Sequence, residues 1–260
     1  MTFVRSLVFN LVYYLVTTAM VVASLPVFAF GSEQALARVT HAWAAAGIFL
    51  LRTIVGTRFV VRGVDNIPPG GAIIAPKHQS MFETFALFTV LDRPTYVMKQ
   101  ELARIPLWGW CARRAGMIMV ERDQGTAALR RLAANVAPAI ARNRQVIIFP
   151  EGTRRPPGAK PDYKGGVAHL YRMTRAPVVP VALNTGLFWP RRQIARYPGT
   201  IVFEFLPPIM PGLSTREFLN RLRAEIEEAS DRLLVEADQS SPRPPFPAEA
   251  AARLSQLTQG

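Results

Sequence analysis

Residues 71–84, GAIIAPKHQSMFET, join an apolar run to a polar turn and the start of a helix. The run AIIA is apolar at every position, and VIIF at residues 146–149 shows the same pattern. Strands buried on both faces have this pattern, whereas half-buried strands alternate between apolar and polar positions. Such strands occur in sheets that helices cover on both sides, so this stretch predicts an α/β domain.

Short β-rich runs alternate with helical stretches beyond Arg52, which extends the same prediction along the chain. The expected strands cover residues 57–63, 71–76, 95–99, 116–121, 145–150, 176–183 and 199–206. The expected helices cover residues 80–91, 124–142, 166–175 and 214–237. Pro138 should kink or shorten the second of these helices. We therefore predict a mostly parallel or mixed twisted sheet flanked by helices, within a domain of residues 55–238.

The N-terminal region is the most apolar part of the chain. Between Arg5 and Glu33 there are 27 residues without a charge, and a membrane span needs about 20. A signal peptide is one alternative, although its apolar core is usually only about 7–15 residues long. A buried soluble helix is the other, although it would rarely be apolar on all faces. The apolar stretch within residues 34–52 is too short to span a membrane, but these residues suit a second helix that lies in the membrane interface. We predict a membrane-embedded two-helix motif over residues 1–54.

The chain ends in a Pro-rich segment, residues 239–260, which predicts a loose C-terminal tail with a short helix after residue 248. The formal net charge is +13, and residues 99–175 hold 15 Lys/Arg against 5 Asp/Glu. Such a surface attracts nucleic acid, anionic lipid or phosphate-bearing substrates. Beside an apolar segment, lipid or a phosphorylated substrate is favoured, and nucleic-acid-binding motifs are absent. We expect no nucleic-acid partner.

The single cysteine, Cys111, excludes an internal disulfide and a four-ligand zinc site. The chain has three histidines, none of them spaced as paired metal ligands, so we expect no metal and no cofactor. Motifs of serine hydrolases, zinc proteases and P-loop proteins are also missing.

The turn after AIIAP holds the first polar cluster, and two interpretations of it remain open. Ser80 and Glu83 have the spacing of a capping box, in which Glu83 would accept the Ser80 amide. Alternatively, Glu83 orients the ring of His78, which then takes a proton from a hydroxyl group. Local pattern does not decide between a helix cap and a catalytic pair.

Further polar residues follow other predicted strands. Residues 149–155, FPEGTRR, bring together a carboxylate, a glycine, a hydroxyl and arginines, and Arg binds phosphate through two parallel hydrogen bonds. A solvated polar loop is the alternative. Lys99 and Arg122 each end a predicted strand, and each alone fits an ordinary surface charge. VVPVALNTG, residues 178–186, fits a core strand and a turn.

Taken in order, these motifs resemble the glycerolipid acyltransferase family, in particular the 1-acylglycerol-3-phosphate acyltransferases. HQSMFE at residues 78–83 matches that family's histidine-x4-aspartate spacing, with Glu83 in place of aspartate. KQELARIPLWGW at residues 99–110 and GMIMVER at residues 116–122 resemble its second block. FPEGTR at residues 149–154 and VPV at residues 179–181 resemble its third and fourth. The resemblance covers roughly residues 55–210.

The resemblance implies a membrane-bound enzyme with its active site on the cytoplasmic face. His78 would be the general base, assisted by Glu83, for transfer of an acyl chain from acyl-CoA or acyl-carrier protein to the sn-2 hydroxyl of 1-acylglycerol 3-phosphate, without a covalent acyl-enzyme. Substrate binding would fall to Lys99, Arg122, Glu151, Gly152, Thr153 and Arg154. Two alternatives are an acyltransferase for another lysolipid, such as lyso-ornithine lipid, and a non-catalytic module that binds anionic lipid.

Overall fold

The computed structural model describes residues 2–120 and 125–259. All seven predicted strands are present and form one mixed sheet. The strands are β1 Thr57–Arg62, β2 Ala72–Pro76, β3 Pro94–Lys99, β4 Ile118–Val120, β5 Gln145–Ile147, β6 Val178–Leu183 and β7 Gly199–Phe205. Their order across the sheet is β1-β7-β6-β2-β5-β3-β4.

Helices flank this sheet and precede it in the chain. In the described residues they are α1 Thr2–Phe30, α2 Glu33–Leu50, α3 Glu83–Ala86, α4 Trp108–Arg114, α5 Gly125–Ala141, α6 Gly166–Thr174, α7 Thr185–Phe188, α8 Thr215–Asp238 and α9 Ala248–Gln259. A π-helical turn at Leu51–Val55 continues α2 toward β1. The predicted α/β fold is therefore confirmed.

The buried central strand β2 explains the apolar pattern of its sequence. It pairs in parallel with β5 on one side and β6 on the other, and all five of its residues are buried. Ile74 packs in the core cluster on one face of the sheet, and Ile73 packs in the cluster on the other. Because β3 also runs parallel to β5, the carboxyl ends of β2, β3, β5 and β6 lie at one edge. Sites in parallel sheets form at such edges.

Two predicted helices differ from the structure. The helix expected over residues 80–91 is reduced to α3 and a 3-10 turn, Leu87–Thr89. It starts late because the Glu83 carboxylate binds the backbone of the preceding turn. Pro138 was expected to kink or shorten the helix of residues 124–142, but it does not shorten the helix, since α5 continues to Ala141. Pro138 lies in the last turn, so it removes a single helical N–H, and the Arg142 amide still donates to its carbonyl.

The C-terminal segment ends in a helix that contacts the domain. Residues 239–247 have neither helix nor strand, and α9 follows. Ala250 and Leu254 of α9 are buried in the main core cluster. The guanidinium of Arg253 forms two hydrogen bonds with the carboxylate of Asp231 on α8, at 3.0 and 2.5 Å. These contacts join α9 to α8.

The N-terminal helix α1 is held to the domain near both of its ends. Near its start, Ser6 accepts a hydrogen bond from the Arg196 amide at 2.8 Å, and Asn10 donates to the carbonyl of Ile194 at 2.9 Å. Near its end, the ring of Phe28 contacts Trp110 of α4, with 6.3 Å between centroids. Between these points much of α1 is exposed, which argues against the core-helix alternative. Among the described helices, α1 alone is long and apolar enough to cross a membrane.

Candidate active site

The site forms where the chain leaves β2. The Nδ1 atom of His78 lies 3.0 Å from Oε1 of Glu83, and the imidazole stacks on Phe149 with 3.8 Å between ring centroids. An ionised carboxylate only accepts hydrogen bonds, so Nδ1 carries the proton in this pair. The Nε2 atom then holds a lone pair. The ring is thus oriented by two contacts and can accept a proton at Nε2.

Glu83 makes the contacts expected from both interpretations of its sequence position. Its Oε1 atom accepts the amides of Gln79 and Ser80, at 2.7 and 2.6 Å, in addition to the His78 ring. The reciprocal half of a capping box is missing, because the Ser80 hydroxyl accepts the amide of Phe82 instead. Glu83 is fully buried. One oxygen therefore stabilises the turn and orients the histidine at the same time.

Two residues of this centre were missed by the sequence analysis. The Thr185 hydroxyl donates to Oε2 of Glu83 at 2.9 Å, and both side chains are buried. The Gln79 side chain accepts the amide of Gly186 at 3.0 Å, which ties the turn after β2 to the turn after β6. The signal available was position: Thr185 follows a predicted buried strand. Sequence alone does not say that this strand lies beside β2.

Glu151 lies beneath the His78 turn, with 1% of its surface exposed. Its Oε2 atom accepts the His78 amide at 3.4 Å, and its Oε1 atom lies 3.4 Å from the ammonium of Lys77. Burial raises the pKa of the Glu151 carboxyl, and the charge of Lys77 opposes that rise. The Arg155 amide also donates to the His78 carbonyl at 2.8 Å. The loop after β5 therefore supports the histidine turn from below.

The buried ammonium of Lys77 has a second carboxylate partner. It lies 2.5 Å from Oε1 of Glu227 on α8, and that same oxygen accepts the hydroxyl of Tyr163 at 2.8 Å. Burial raises the pKa of the Tyr163 hydroxyl, and the Glu227 charge adds to that rise. Buried charges persist when they are paired and hydrogen-bonded. Lys77 thus anchors the β2 end to α8, a role that the sequence did not indicate.

Arg154 lies in a group of cations at this edge of the domain. Its backbone carbonyl accepts a hydrogen bond from Nη1 of Arg191 at 2.7 Å. The pKa of the Arg191 guanidinium is lowered by burial and by the nearby charges of Arg192 and Arg154. In the described part of the chain, no carboxylate lies within ion-pair distance of Arg154 or Arg191. Arg154 was predicted from the sequence, whereas Arg191 and Arg192 were not.

The remaining candidates occupy more open positions. Lys99 ends β3, is about half exposed, and pairs with Glu101 at 2.9 Å. Thr153 is exposed. Gly152 has a φ of +66°, which suits a tight turn, and its amide donates to the carbonyl of Phe149. Arg122 lies outside the described residues. The structure therefore joins His78, Glu83 and Glu151 directly, while Lys99 reaches the same edge on a different strand.

Several known proteins are similar to this chain in sequence. A family model described as Acyltransferase matches residues 58–184. A curated 1-acyl-sn-glycerol-3-phosphate acyltransferase from Pseudomonas aeruginosa is 38% identical over 163 residues, which is 63% of this chain and 63% of that protein. One of the same name from Cocos nucifera is 28% identical over 162 residues, 62% of this chain and 52% of that protein. The chain thus spans less than two thirds of the length of either relative.

A solved structure shares the fold over most of the chain. It is the crystal structure of the 1-acyl-sn-glycerophosphate (LPA) acyltransferase from Thermotoga maritima. Its TM-score is 0.76 at 22% identity, and the alignment covers 90% of this chain and 98% of that one. His78, Glu83, Lys99 and Glu151 all lie inside the region that the family model matches, whereas Arg191 lies beyond it. The predicted resemblance is confirmed, and residues 58–184 form a domain of the acyltransferase family.

Proposed function

We propose that this protein is a membrane-bound O-acyltransferase that acylates the sn-2 hydroxyl of 1-acylglycerol 3-phosphate and so forms phosphatidic acid. The observation that carries this proposal is the His78–Glu83 pair, with 3.0 Å between Nδ1 and Oε1, inside the region matched to the family. The names of the curated relatives support the same substrate. The acyl donor is acyl-CoA or acyl-carrier protein.

His78 acts as the general base in a direct transfer. Its Nε2 atom takes the proton of the lysolipid hydroxyl while the hydroxyl oxygen attacks the thioester carbonyl carbon. A carbon–oxygen bond forms, the carbon–sulfur bond breaks, and the proton passes from Nε2 to the departing sulfur. Glu83 stabilises the imidazolium that exists between these two transfers. The only cysteine does not supply a ready thiolate, because burial raises the pKa of the Cys111 thiol.

The glycerol phosphate binds the cations at the same edge. Arg154 offers a guanidinium fork to two phosphate oxygens, and Lys99 and Arg122 add further positive charge. Glu151 and Gly152 shape the loop that presents Arg154, and Thr153 offers an exposed hydroxyl. The acyl chain of the substrate reaches this edge from a bilayer that holds the exposed apolar surface of α1. The active site then lies on the cytoplasmic face, where both acyl donors occur.

One assay tests the activity and the head group together. The purified full chain is given acyl-CoA or acyl-carrier protein as the acyl thioester, each with a panel of lysolipids that includes lysophosphatidate, lysophosphatidylcholine and lyso-ornithine lipid. We expect acylation of lysophosphatidate to exceed the others by at least about 10-fold, since loss of a charge-assisted contact costs at least that factor. Preference for lyso-ornithine lipid would establish the alternative substrate. No turnover with any acceptor and either donor would leave the lipid-binding module.

A further inference from the structure

The segment Leu102 to Trp108, LARIPLW, which we term the apolar segment 102–108, exposes large apolar side chains between β3 and α4. Four of them are 37–47% exposed: Leu102, Ile105, Leu107 and Trp108. Clustered exposed apolar groups on a folded domain mark an interaction surface. Tryptophan among aliphatic residues is typical of the membrane–water boundary. Leu107 also has a φ of +62°, an uncommon conformation for a residue with a side chain.

This segment is attached to the C-terminal end of the membrane-directed helix. Trp110, two residues after Trp108, contacts Phe28 of α1. The guanidinium of Arg114 donates to the carbonyls of Phe28 and Ala29 at 2.7 and 3.3 Å. These contacts satisfy carbonyls at the end of α1 that have no partner within the helix. The apolar segment 102–108 therefore leads into α4, which is bound to the C-terminal end of α1, where Phe30 is 91% exposed.

Positive charges surround the same segment. Arg104, Arg113 and Arg114 are exposed, and the nearby Glu101 is paired with Lys99. Apolar side chains ringed by basic ones bind anionic lipid surfaces, through burial in the interface and attraction to the head groups. The attachment of α4 to the end of α1 places the segment beside a helix that is long and apolar enough to cross a membrane, which favours a bilayer over a soluble protein partner.

We propose that the apolar segment 102–108 inserts into the interface of an anionic bilayer and forms a second membrane contact of this protein. The contact sets the height of β3 above the membrane, which places Lys99 at the level of lipid head groups. In that position the charge of Lys99 attracts the phosphate of a lipid substrate, without direct contact, before the substrate leaves the bilayer. This last step rests on the proposed function, whereas the insertion itself does not.

Insertion depth is measurable without turnover. The full chain carrying Cys111→Ser is given one new cysteine, Trp108→Cys or Ile105→Cys, and is labelled with an environment-sensitive fluorophore. The matched control is Met210→Cys. Met210 is also apolar and exposed, but it follows Ile209, which pairs with Val178 at the amino-terminal end of β6. Each is reconstituted into vesicles of phosphatidylcholine and phosphatidylglycerol that carry a spin-labelled lipid.

We expect quenching of the labels at positions 105 and 108 to be at least about 3-fold stronger than at position 210, with a blue-shifted emission. Equal quenching at all three sites, or equal access of aqueous iodide to them, would overturn the proposal. Vesicles of phosphatidylcholine alone should quench the labels at positions 105 and 108 less. Unchanged quenching in these vesicles would show that insertion does not need anionic lipid. If the insertion is measured but lysophosphatidate is not acylated, the proposed function alone fails.

An independent observation concerns the second oxygen of Glu83. We infer that Thr185 is a positioning residue, which holds the Glu83 carboxylate so that Oε1 faces His78. Its hydroxyl donates to Oε2 at 2.9 Å, and its backbone is anchored because its carbonyl accepts the Trp189 amide at 2.8 Å. Glutamate has one more rotatable bond than aspartate, so its carboxylate needs a contact that restricts rotation. Thr185 supplies that contact from the turn after β6.

The test replaces the hydroxyl and keeps the shape of the side chain. For Thr185→Val we expect kcat to fall about 10-fold with little change in KM, and Thr185→Ser should restore most of it. The matched control is Thr95→Val, since Thr95 is also buried but its hydroxyl has no hydrogen-bond partner among the described residues. Thr95→Val should leave kcat unchanged.

A spectroscopic measurement separates positioning from simple destabilisation. The 15N chemical shifts of labelled His78 report which ring nitrogen carries the proton, and Thr185→Val should lower the fraction protonated at Nδ1. An unchanged kcat and unchanged shifts would overturn the inference, as would a loss that Thr185→Ser does not repair. The chemical shifts are informative even if the proposed acyl transfer is not observed.

Discussion

The His78 centre and the neighbouring cations, Arg154 and Arg191, differ in burial and in how many of their polar groups already have partners. Glu83 is buried and its two oxygens accept four hydrogen bonds, one of them from the His78 ring. Arg154 and Arg191 are partly exposed and, among the described residues, have no carboxylate partner. A base must be oriented before the substrate arrives, because reorientation during the reaction raises the barrier. Cations that bind a phosphate must instead keep their donors available for it.

The largest expected effect comes from removing the base itself. For His78→Ala we expect kcat to fall about 10³-fold, within the usual contribution of general acid–base catalysis. The Glu83 carboxylate would keep its other three partners, so the fold should persist. Acyl transfer is measured with lysophosphatidate, and carbonate extraction checks membrane association. Full activity in a correctly folded variant would exclude His78 as the base.

The next effect tests whether the carboxylate has to be charged. For Glu83→Gln we expect a loss of about 10²-fold in kcat. The NH2 end of the amide group is a donor, so it would face an N–H or O–H donor from which the carboxylate oxygen accepts a hydrogen bond. Thermal unfolding of the same variant should show a lower Tm, since the buried turn loses hydrogen bonds. Glu83→Asp is the matched variant, with charge but a shorter side chain. If Glu83→Gln retained wild-type kcat, orientation by a charged partner would be wrong.

The phosphate site should respond in KM and not in kcat. For Arg154→Ala we expect the KM for lysophosphatidate to rise about 10- to 100-fold, the value of a hydrogen-bonded charge contact. The KM for the acyl donor should change little. Arg216→Ala is the control, since Arg216 is exposed on α8 away from this group. Equal increases in both KM values would contradict a phosphate-specific role.

Arg191 tests the comparison between the two regions, because its guanidinium is hydrogen-bonded to the protein and also lies close to other cations. Its guanidinium donates to the Arg154 carbonyl, so Arg191→Ala removes a nearby positive charge and a contact that holds the Arg154 loop. We expect the KM for lysophosphatidate to rise about 10-fold. Arg191→Lys should recover part of that loss if charge is the main contribution. Steady-state kinetics with a neutral lysolipid, which should show no effect, completes the test.

The smallest effect is expected at Lys99. Its ammonium is about half exposed and pairs with Glu101, and exposed ion pairs contribute little. For Lys99→Gln we expect a rise of about 3-fold in the KM for lysophosphatidate, and the rise should diminish as salt is added. A loss as large as that of Arg154→Ala would instead place Lys99 in direct contact with the phosphate.

The sequence alone determined the strands of the sheet and the candidate residues His78, Glu83 and Arg154. Runs that are apolar at every position predicted the buried strands, because burial on both faces leaves a local record in the sequence. The same is true of His78, Glu83 and Arg154, whose short motifs hold their neighbours close along the chain. The prediction was wrong at the length of α3, where the hydrogen bonds of Glu83 decided the helix start, and Pro138 does not shorten α5. Arg122 stays a prediction, since it lies outside the described residues.

Only the tertiary structure decided what Glu83 and its partners do. Thr185 is 102 residues away from Glu83 in the chain, and the two meet because β2 and β6 pair in parallel. Arg191 reaches Arg154 by the same kind of long-range contact. Such contacts depend on strand order, which no local pattern of apolar residues encodes. The fold gives one carboxylate oxygen of Glu83 both of the partners that the sequence had offered as alternatives, the His78 ring and the Ser80 amide.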